Sequence, residues 1–315
     1  MFLYRAYGFI VRSDVRMPEL VPARGSDPDG RRKFDIKLRR HRRESLSRRE
    51  LIGEVELPKG GAWRRIWRAA DGGFIVTFAE LASFALSARG DAIVCTHRSP
   101  GVAIRTLRHL VLDQIMPLVL IRHGRQALHG TAIATRVGII SFVGPAGTGK
   151  STLAGAFCQA GFKAVADDCL SLIDNGRILG VPAYPGLRLW EDSAAALGHP
   201  GGAAVAHYTP KQRSFAAENF DDFPPAPLPL ARIYRLEREE SSTVPRIEEI
   251  SQRDALLELV QTSFQFDPRD EAALELHFRF MERVAQTIPI RRLFIPEGFE
   301  FLPHARDAVL RDLDA

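Results

Sequence analysis

The sequence predicts a mixed α/β protein, with a β-rich lobe over residues 1–98 and then a domain over 99–315 in which strands and helices alternate around a glycine loop. Three observations carry this expectation. Short β-branched runs bounded by glycine or aspartate fill the first hundred residues, helical apolar spacing sets in over 99–121, and "VGPAGTGKST" (143–152) separates a β-branched run from a helical one.

In the first lobe, "FDIKLR" (34–39) alternates apolar and charged residues, while "GFIVTF" and "DAIVCTH" are compact apolar runs, so all three read as strands. The segment 23–32, rich in Gly, Pro and Asp, reads as the most mobile loop. Pro117 is expected to end or kink the helix of 99–121. Strands are expected over 127–134 and 137–143, then a helix over 151–160 stopped by Gly161, then the strand "FKAVA". "LSLIDNGRILGVP" reads as a hairpin turning at Asp174, Asn175 and Gly176. Residues 198–229 read as irregular surface or a mobile lid. "SQRDALLELVQTSF" opens with the capping pattern Ser251 to Asp254, a second helix covers 270–286, and "IPIRRLFIP" is a late strand.

Composition narrows the function classes. Hydrophobic content of 45% over 315 residues supports a full globular core. The opening residues carry an arginine in a short apolar run without a small-residue cleavage site, so no signal peptide is read. The most apolar later run, 110–121, contains Asp113 and Pro117 and is too short to span a bilayer. Cys95, Cys158 and Cys169 lack metal-ligand spacing and suggest no disulfide framework, which points to a reducing, cytoplasmic setting. Net charge is +5, but residues 31–49 alone hold ten Lys or Arg against Asp35 and Glu44. That stretch reads either as a solvated face or as a patch for an acidic partner or for nucleic acid. Phe34 is its only aromatic residue, which argues against a nucleic-acid stacking platform.

Gly144, Gly149, Lys150 and Ser151 fit G-x-x-x-x-G-K-[ST] in the strand-to-helix context that makes the motif specific. Glycines allow the tight turn whose N–H groups face phosphates, and the helix N-terminus adds its dipole. Gly144, Pro145, Ala146, Gly147, Thr148, Gly149, Lys150, Ser151 and Thr152 are therefore the expected phosphate-binding residues. Lys150 would bridge outer phosphate oxygens and the Ser151 hydroxyl would ligate Mg²⁺.

"VADD" (165–168) follows at an informative distance. Ten helical residues descend roughly 15 Å, and five strand residues climb roughly 17 Å back. Asp167 and Asp168 should thus arrive beside Lys150 at the carboxyl end of a parallel pair, where open α/β sheets bind ligands. Consecutive strand residues face opposite ways, so the two carboxylates should differ in task. One would hold the metal, the other would accept the proton of an attacking hydroxyl. Asp168 is the expected metal ligand beside Ser151, although order alone leaves the roles interchangeable.

The stretch "LHGTAIATRVGIISFVGPAGTGKSTLAGAFCQAGFKAVADD" (128–168) resembles the ATP-binding core of HPr serine kinases and their relatives, which share a P-loop architecture with phosphoenolpyruvate carboxykinases. The resemblance implies a P-loop kinase core behind an N-terminal β-rich lobe, ATP and Mg²⁺ as cofactors, and a supporting role for His129 near the transferring phosphate. Where HPr kinase carries Glu-x-Arg-Gly, this chain has "YPGLRLWEDS"; Arg188 matches the arginine, but Gly186 stands in the glutamate's place. The motifs "YRAYGFIVRSDVRMPEL", "YPGLRLW", "YTPKQRSF" and "IPIRRLFIP" look like the branch containing lasso peptide precursor kinases, which phosphorylate a C-terminal serine. Lys211 and Arg213 are the candidate cations closing over the phosphates.

The resulting expectation is an ATP- and Mg²⁺-dependent serine kinase whose partner is a peptide or small protein, with no membrane and no nucleic-acid partner. A homo-oligomer is compatible with it. Three alternatives stay open: an HPr-like protein as acceptor, a nucleic-acid-linked ATPase or switch, and a carboxykinase-like small-molecule phosphotransferase.

Overall fold

A computed structural model describes residues 1–23, 33–40, 49–57, 61–97, 101–206, 208–215, 220 and 222–314. The chain divides into two compact units, one made of residues 1–125 with 265–274, the other of 126–264 with 275–315. It is a mixed α/β protein with large sheets. Among the described residues no helix is long and apolar enough to cross a membrane.

The first unit carries β1 (Phe2–Ala6), β2 (Phe9–Ser13), β3 (Val21–Pro22), β4 (Lys33–Arg40), β5 (Arg49–Glu56), β6 (Ala62–Ala69), β7 (Phe74–Phe78), β8 (Ala82–Leu86) and β9 (Ala92–His97). They form one sheet in the order β3-β1-β2-β4-β9-β8-β7-β6-β5. Alternating burial along β8 shows why the sequence folds this way: Ala82, Phe84 and Leu86 point inward while Ser83 and Ala85 are half-buried. The basic run of 31–49 lies partly outside the described residues. Its described part is mainly β4, where Asp35 accepts from Arg12 at 2.5 and 2.8 Å. The loop expected over 23–32 lies outside the described residues apart from residue 23.

The expected division at residue 98 falls inside this unit, because the following helices belong to it. α1 (Ile104–Leu110) runs through a π-helical turn, Val111–Ile115, into α2 (Met116–Arg122). Pro117 sits in the first turn of α2, where its missing N–H costs nothing, so it follows a change of helical pitch and does not end the helix. Polar contacts fix the helices to the sheet elements. Arg108 donates to Glu19 at 2.9 Å, Arg64 to Gln114 at 2.7 Å, and the Arg122 guanidinium lies 5.4 Å from the Phe74 ring centre.

The second unit holds β10 (Gln126–Leu128), β11 (Gly130–Thr135), β12 (Gly138–Val143), α3 (Lys150–Gln159), β13 (Lys163–Ala166), β14 (Leu170–Asp174), β15 (Ile178–Val181), β16 (Leu187–Leu189), α4 (Glu191–Ala196), β17 (Ala204–Ala206), β18 (Thr209–Ser214), β19 (Leu228–Glu239), β20 (Arg246–Glu249), α5 (Gln252–Thr262), α6 (Glu271–Thr287), β21 (Ile290–Pro296) and α7 (Leu302–Asp314). The main sheet runs β10-β14-β15-β19-β12-β11-β13, with β21 on β19 and β20 on β21. β16, β18 and β17 make a small separate sheet.

Two expectations change here. β12 and β13 run in the same direction, but β11 lies between them, antiparallel to both. The parallel neighbour of β12 is β19, from far along the chain. Residues 198–229 are not wholly irregular, because β17 and β18 fall there; residues 207, 216–219 and 221 of that span lie outside the described residues. The hairpin β14-β15 and the Ser251 cap, whose Oγ accepts from Asp254 N–H at 3.1 Å, match their sequence signals.

The core of this unit gathers Ile140, Phe142, Leu153, Phe157, Tyr234 and Leu236 between sheet and α3. Phe142 stacks obliquely on Phe157 and Tyr234 at 5.6 and 6.1 Å. Gly130 is required where β11 and β12 approach: a Cβ there would meet the Phe142 carbonyl at 2.8 Å.

The cysteines are free, and burial pushes the Cys95 thiol up to about 12 and the Cys158 thiol to about 11. Because the thiolate is the nucleophile, both should resist iodoacetamide in the native protein at pH 8 and react at ordinary rates in 6 M guanidinium, roughly the strength that unfolds most domains. Mass spectrometry of the labelled chain reads this directly.

Candidate functional site

The second unit brings one end of β11, β12 and β13 together with the small sheet. The chain leaves β12 at Val143 and turns through Gly144, Gly147 and Gly149, with φ of 132°, 85° and 93°, a region only glycine enters without strain. Gly149 is the N-cap of α3, so the loop delivers its amides to a helix N-terminus. Lys150, the first residue of α3, is 6% exposed and folds back to donate from Nζ to the Gly144 and Pro145 carbonyls, each at 2.8 Å. Burial pulls its ammonium below the ordinary lysine value; Asp168 and Asp167 oppose that and Lys211 adds to it. Thr148 closes the turn by donating to Pro145 O at 2.9 Å.

Asp167 is 1% exposed and organises the other side of the loop. Its Oδ1 accepts from Ser151 Oγ at 2.8 Å and Thr131 Oγ1 at 2.9 Å. Its Oδ2 accepts from the Arg188 backbone N–H at 2.7 Å and from Arg188 Nε at 3.4 Å. Arg188 itself is 6% exposed and spans the pair, with Nη2 on the Asp167 carbonyl and on Asp168 Oδ2, both at 2.9 Å. Lys211 approaches Asp168 Oδ2 at 3.8 Å.

These contacts differ from the expected layout. β13 ends at Ala166, so Asp167 and Asp168 lie in the bend beyond it and strand alternation does not separate them. Asp168 takes φ 62°, a left-handed geometry that aspartate tolerates better than most residues. The carboxylate beside Ser151 is Asp167, not Asp168; Asp168 instead faces Arg188 and Lys211. His129 touches the aspartates through main chain only, since its Nδ1–H donates to the Asp168 carbonyl at 3.0 Å while Phe264 meets the ring edge-on at 6.0 Å. The imidazole therefore braces the strained residue and keeps Nε2 as its unprotonated nitrogen when neutral.

Lys211 and Arg213 lie on β18, with Arg213 opposite Arg188 in the ladder and donating to Pro185 O at 3.1 Å. A strand, and not a loose segment, holds both cations. Thr152 turns its hydroxyl away from the loop toward Ser193 of α4, at 3.2 Å. Two residues near the loop escaped the sequence reading. Thr131 sits inside the "LHGT" stretch, and only the pairing of β11 with β12 and β13 reveals that its hydroxyl meets Asp167. Arg238 comes from β19, some ninety residues beyond the loop, and no local motif marks it.

Ser151 Oγ, Thr131 Oγ1 and Asp167 Oδ1 converge as hard oxygen donors, a set suited to Mg²⁺ when phosphate oxygens and waters complete an octahedron. Among the described residues no three His, Cys, Asp or Glu side chains gather into a metal cage. A protein-only metal centre is therefore not the chemistry these groups suit, whereas a shared metal and phosphate site is.

The network makes unequal stability predictions. Asp167→Ala should lower the unfolding free energy by about 3 kcal/mol in urea titrations, because it strands the buried Arg188. Thr131→Val should cost about 1 kcal/mol, the scale of one hydrogen bond. Asp168→Gly should stay within about 1 kcal/mol of the parent, since glycine adopts the positive φ freely while the ion pair is lost.

No family model matches the chain, and no curated protein matches it. Among solved structures it is similar to the Hpr(Ser) kinase/phosphatase from Coxiella burnetii, at 14% sequence identity and a TM-score of 0.30, over 59% of this chain and 95% of that one.

Proposed function

We propose that the protein is an ATP- and Mg²⁺-dependent kinase that phosphorylates a serine hydroxyl of a peptide or small protein. One observation carries the reading: the loop that heads α3 with Lys150 and Ser151 is hydrogen-bonded through Ser151 to a buried carboxylate, and a second carboxylate next to it stands between two cations. Phosphoryl transfer needs these parts, namely an amide cradle, a metal edge, a group for the nucleophile's proton and positive charge for the transition state.

In this reading the amides of Gly144–Ser151 and the Lys150 ammonium hold the phosphate chain. When bound, Mg²⁺ would neutralise charge on the phosphate oxygens, with Ser151 and Asp167 as the residues that hold it or its waters. The Asp168 carboxylate accepts the proton of the serine hydroxyl as that oxygen forms its bond to the γ-phosphorus. The bond from phosphorus to the bridging oxygen breaks and ADP leaves. Arg188 keeps both aspartates in place, while Lys211 and Arg213 sit where equatorial oxygen charge develops. The β-rich unit is the proposed acceptor-binding part, its basic run suited to an acidic peptide. The acceptor reading extends to the C-terminal serine of a lasso peptide precursor, on the motifs shared with that branch.

Incubation with Mg-ATP and candidate acceptors, HPr-like proteins and precursor peptides ending in serine, should add about 80 Da to the acceptor in mass spectra. Asp168→Asn should lower kcat by about 10² or more with little change in Mg-ATP affinity, as for loss of a general base. Lys150→Met should abolish both binding and transfer. Tight Mg-ATP binding with no mass gain on any acceptor would overturn the kinase reading in favour of a switch.

A further inference from the structure

Arg238 stands at the loop with no role in the site as drawn so far. Leu236, two residues earlier on β19, packs into the core with Phe142 and Leu153 of α3. Alternation along the strand puts Arg238 on the same side, just past the core and at the head of α3. The loop confirms the placement, because a Cβ at Gly149 would overlap the Arg238 guanidinium at Nη2. Gly149 is thus fixed twice, by its φ of 93° and by the arginine lying against it.

The electrostatics of that position are unfavourable as they stand. A guanidinium rests against a helix N-terminus, which carries a positive partial charge, with the Lys150 ammonium on the next residue. Among the described residues Arg238 forms no ion pair; it donates to the Pro296 carbonyl at 3.2 Å, and Glu297 acts on it only through its charge. Although Arg238 is exposed as a residue, partial burial of its guanidinium group pulls it below the ordinary arginine value, against the opposing charge of Glu297. A guanidinium set against a helix N-terminus with no paired carboxylate is stabilised most by an anion that it shares with the loop amides.

We infer that Arg238 binds the nucleotide's phosphate chain at the end nearer the nucleoside. The aspartates reach the loop from the β13 side, beyond β11, whereas Arg238 reaches it from β19 on the opposite flank of β12. A phosphate chain lying across the loop with its terminal group toward Asp168 brings its α- and β-phosphates toward Arg238. This inference rests on the nucleotide reading of the loop. It adds a second cation to Lys150 and gives the bound chain a direction.

The test is calorimetric titration of the full chain with Mg-ADP and Mg-ATP. Arg238→Gln should weaken both nucleotides by the same factor, about tenfold, and Arg238→Lys should recover most of the loss because charge alone suffices. The unliganded Arg238→Gln protein should melt at the parent temperature or above it, a result that a purely structural arginine would not give. Equal affinity of parent and Arg238→Gln would overturn the inference and leave the nucleotide reading standing. Weakening of Mg-ATP alone would put the guanidinium at the γ end, and failure of lysine to restore binding would put it on the base; either overturns the assignment. A parent protein that binds neither nucleotide would overturn the nucleotide reading together with the inference.

Discussion

The buried carboxylate of Asp167 is the constraint on which the rest of the site depends. Both of its oxygens are occupied, one by the hydroxyls of Ser151 and Thr131, the other by the main chain and side chain of Arg188. Those partners come from α3, β11 and β16, so one side chain ties the helix behind the glycine loop to two different sheets. A buried ion pair contributes little net stability against its desolvation, and its worth here is geometric. If Asp167 shifts, Ser151 loses its orientation, Arg188 loses its anchor, and Asp168 loses the arginine that holds it.

Around this anchor the charge is layered. Arg188 cancels much of the negative field of the two aspartates from within, and Lys211 adds to this from the adjoining strand, where Arg213 also lies. Lys150 occupies the loop itself and Arg238 its far flank. The cations exceed the carboxylates in this small volume, which is the electrostatic profile expected of a place built for a polyanion. Backbone strain contributes to the same end, since Asp168 is held at positive φ by the His129 bond to its carbonyl.

Much of this was legible in the sequence where the determinants are local. The glycine loop, the length of α3, the return along β13 and the arrival of the aspartates near Lys150 all follow from rise per residue and turn chemistry over forty residues. The β14-β15 hairpin and the α5 cap were readable for the same reason. What escaped depends on partners distant in sequence. Nothing near 126–135 announces that β11 will insert between β12 and β13, and it is this insertion that brings Thr131 to Asp167. That Asp167 and not Asp168 stands beside Ser151 was not readable, because β13 ends at Ala166 and strand alternation has nothing to say about the two residues in the bend beyond it. α7, which packs Ala305 and Val309 into the core, was missed altogether, because its apolar positions are few beside its charges.

The position of β19 has a consequence for how the molecule assembles. Every side-chain contact described around Asp167 and Asp168 is made by residues 129–211, a continuous stretch whose strands pair mainly with near neighbours. β12, however, finds its parallel neighbour in β19, roughly ninety residues later, and β19 in turn pairs with β21 further along the chain, and such distant pairings carry a high loop-closure cost. On a growing chain the acidic half of the site can therefore form before its basic flank exists. The loop at the head of α3 then remains open on one side until β19 docks, so the cation on that flank is added late in folding.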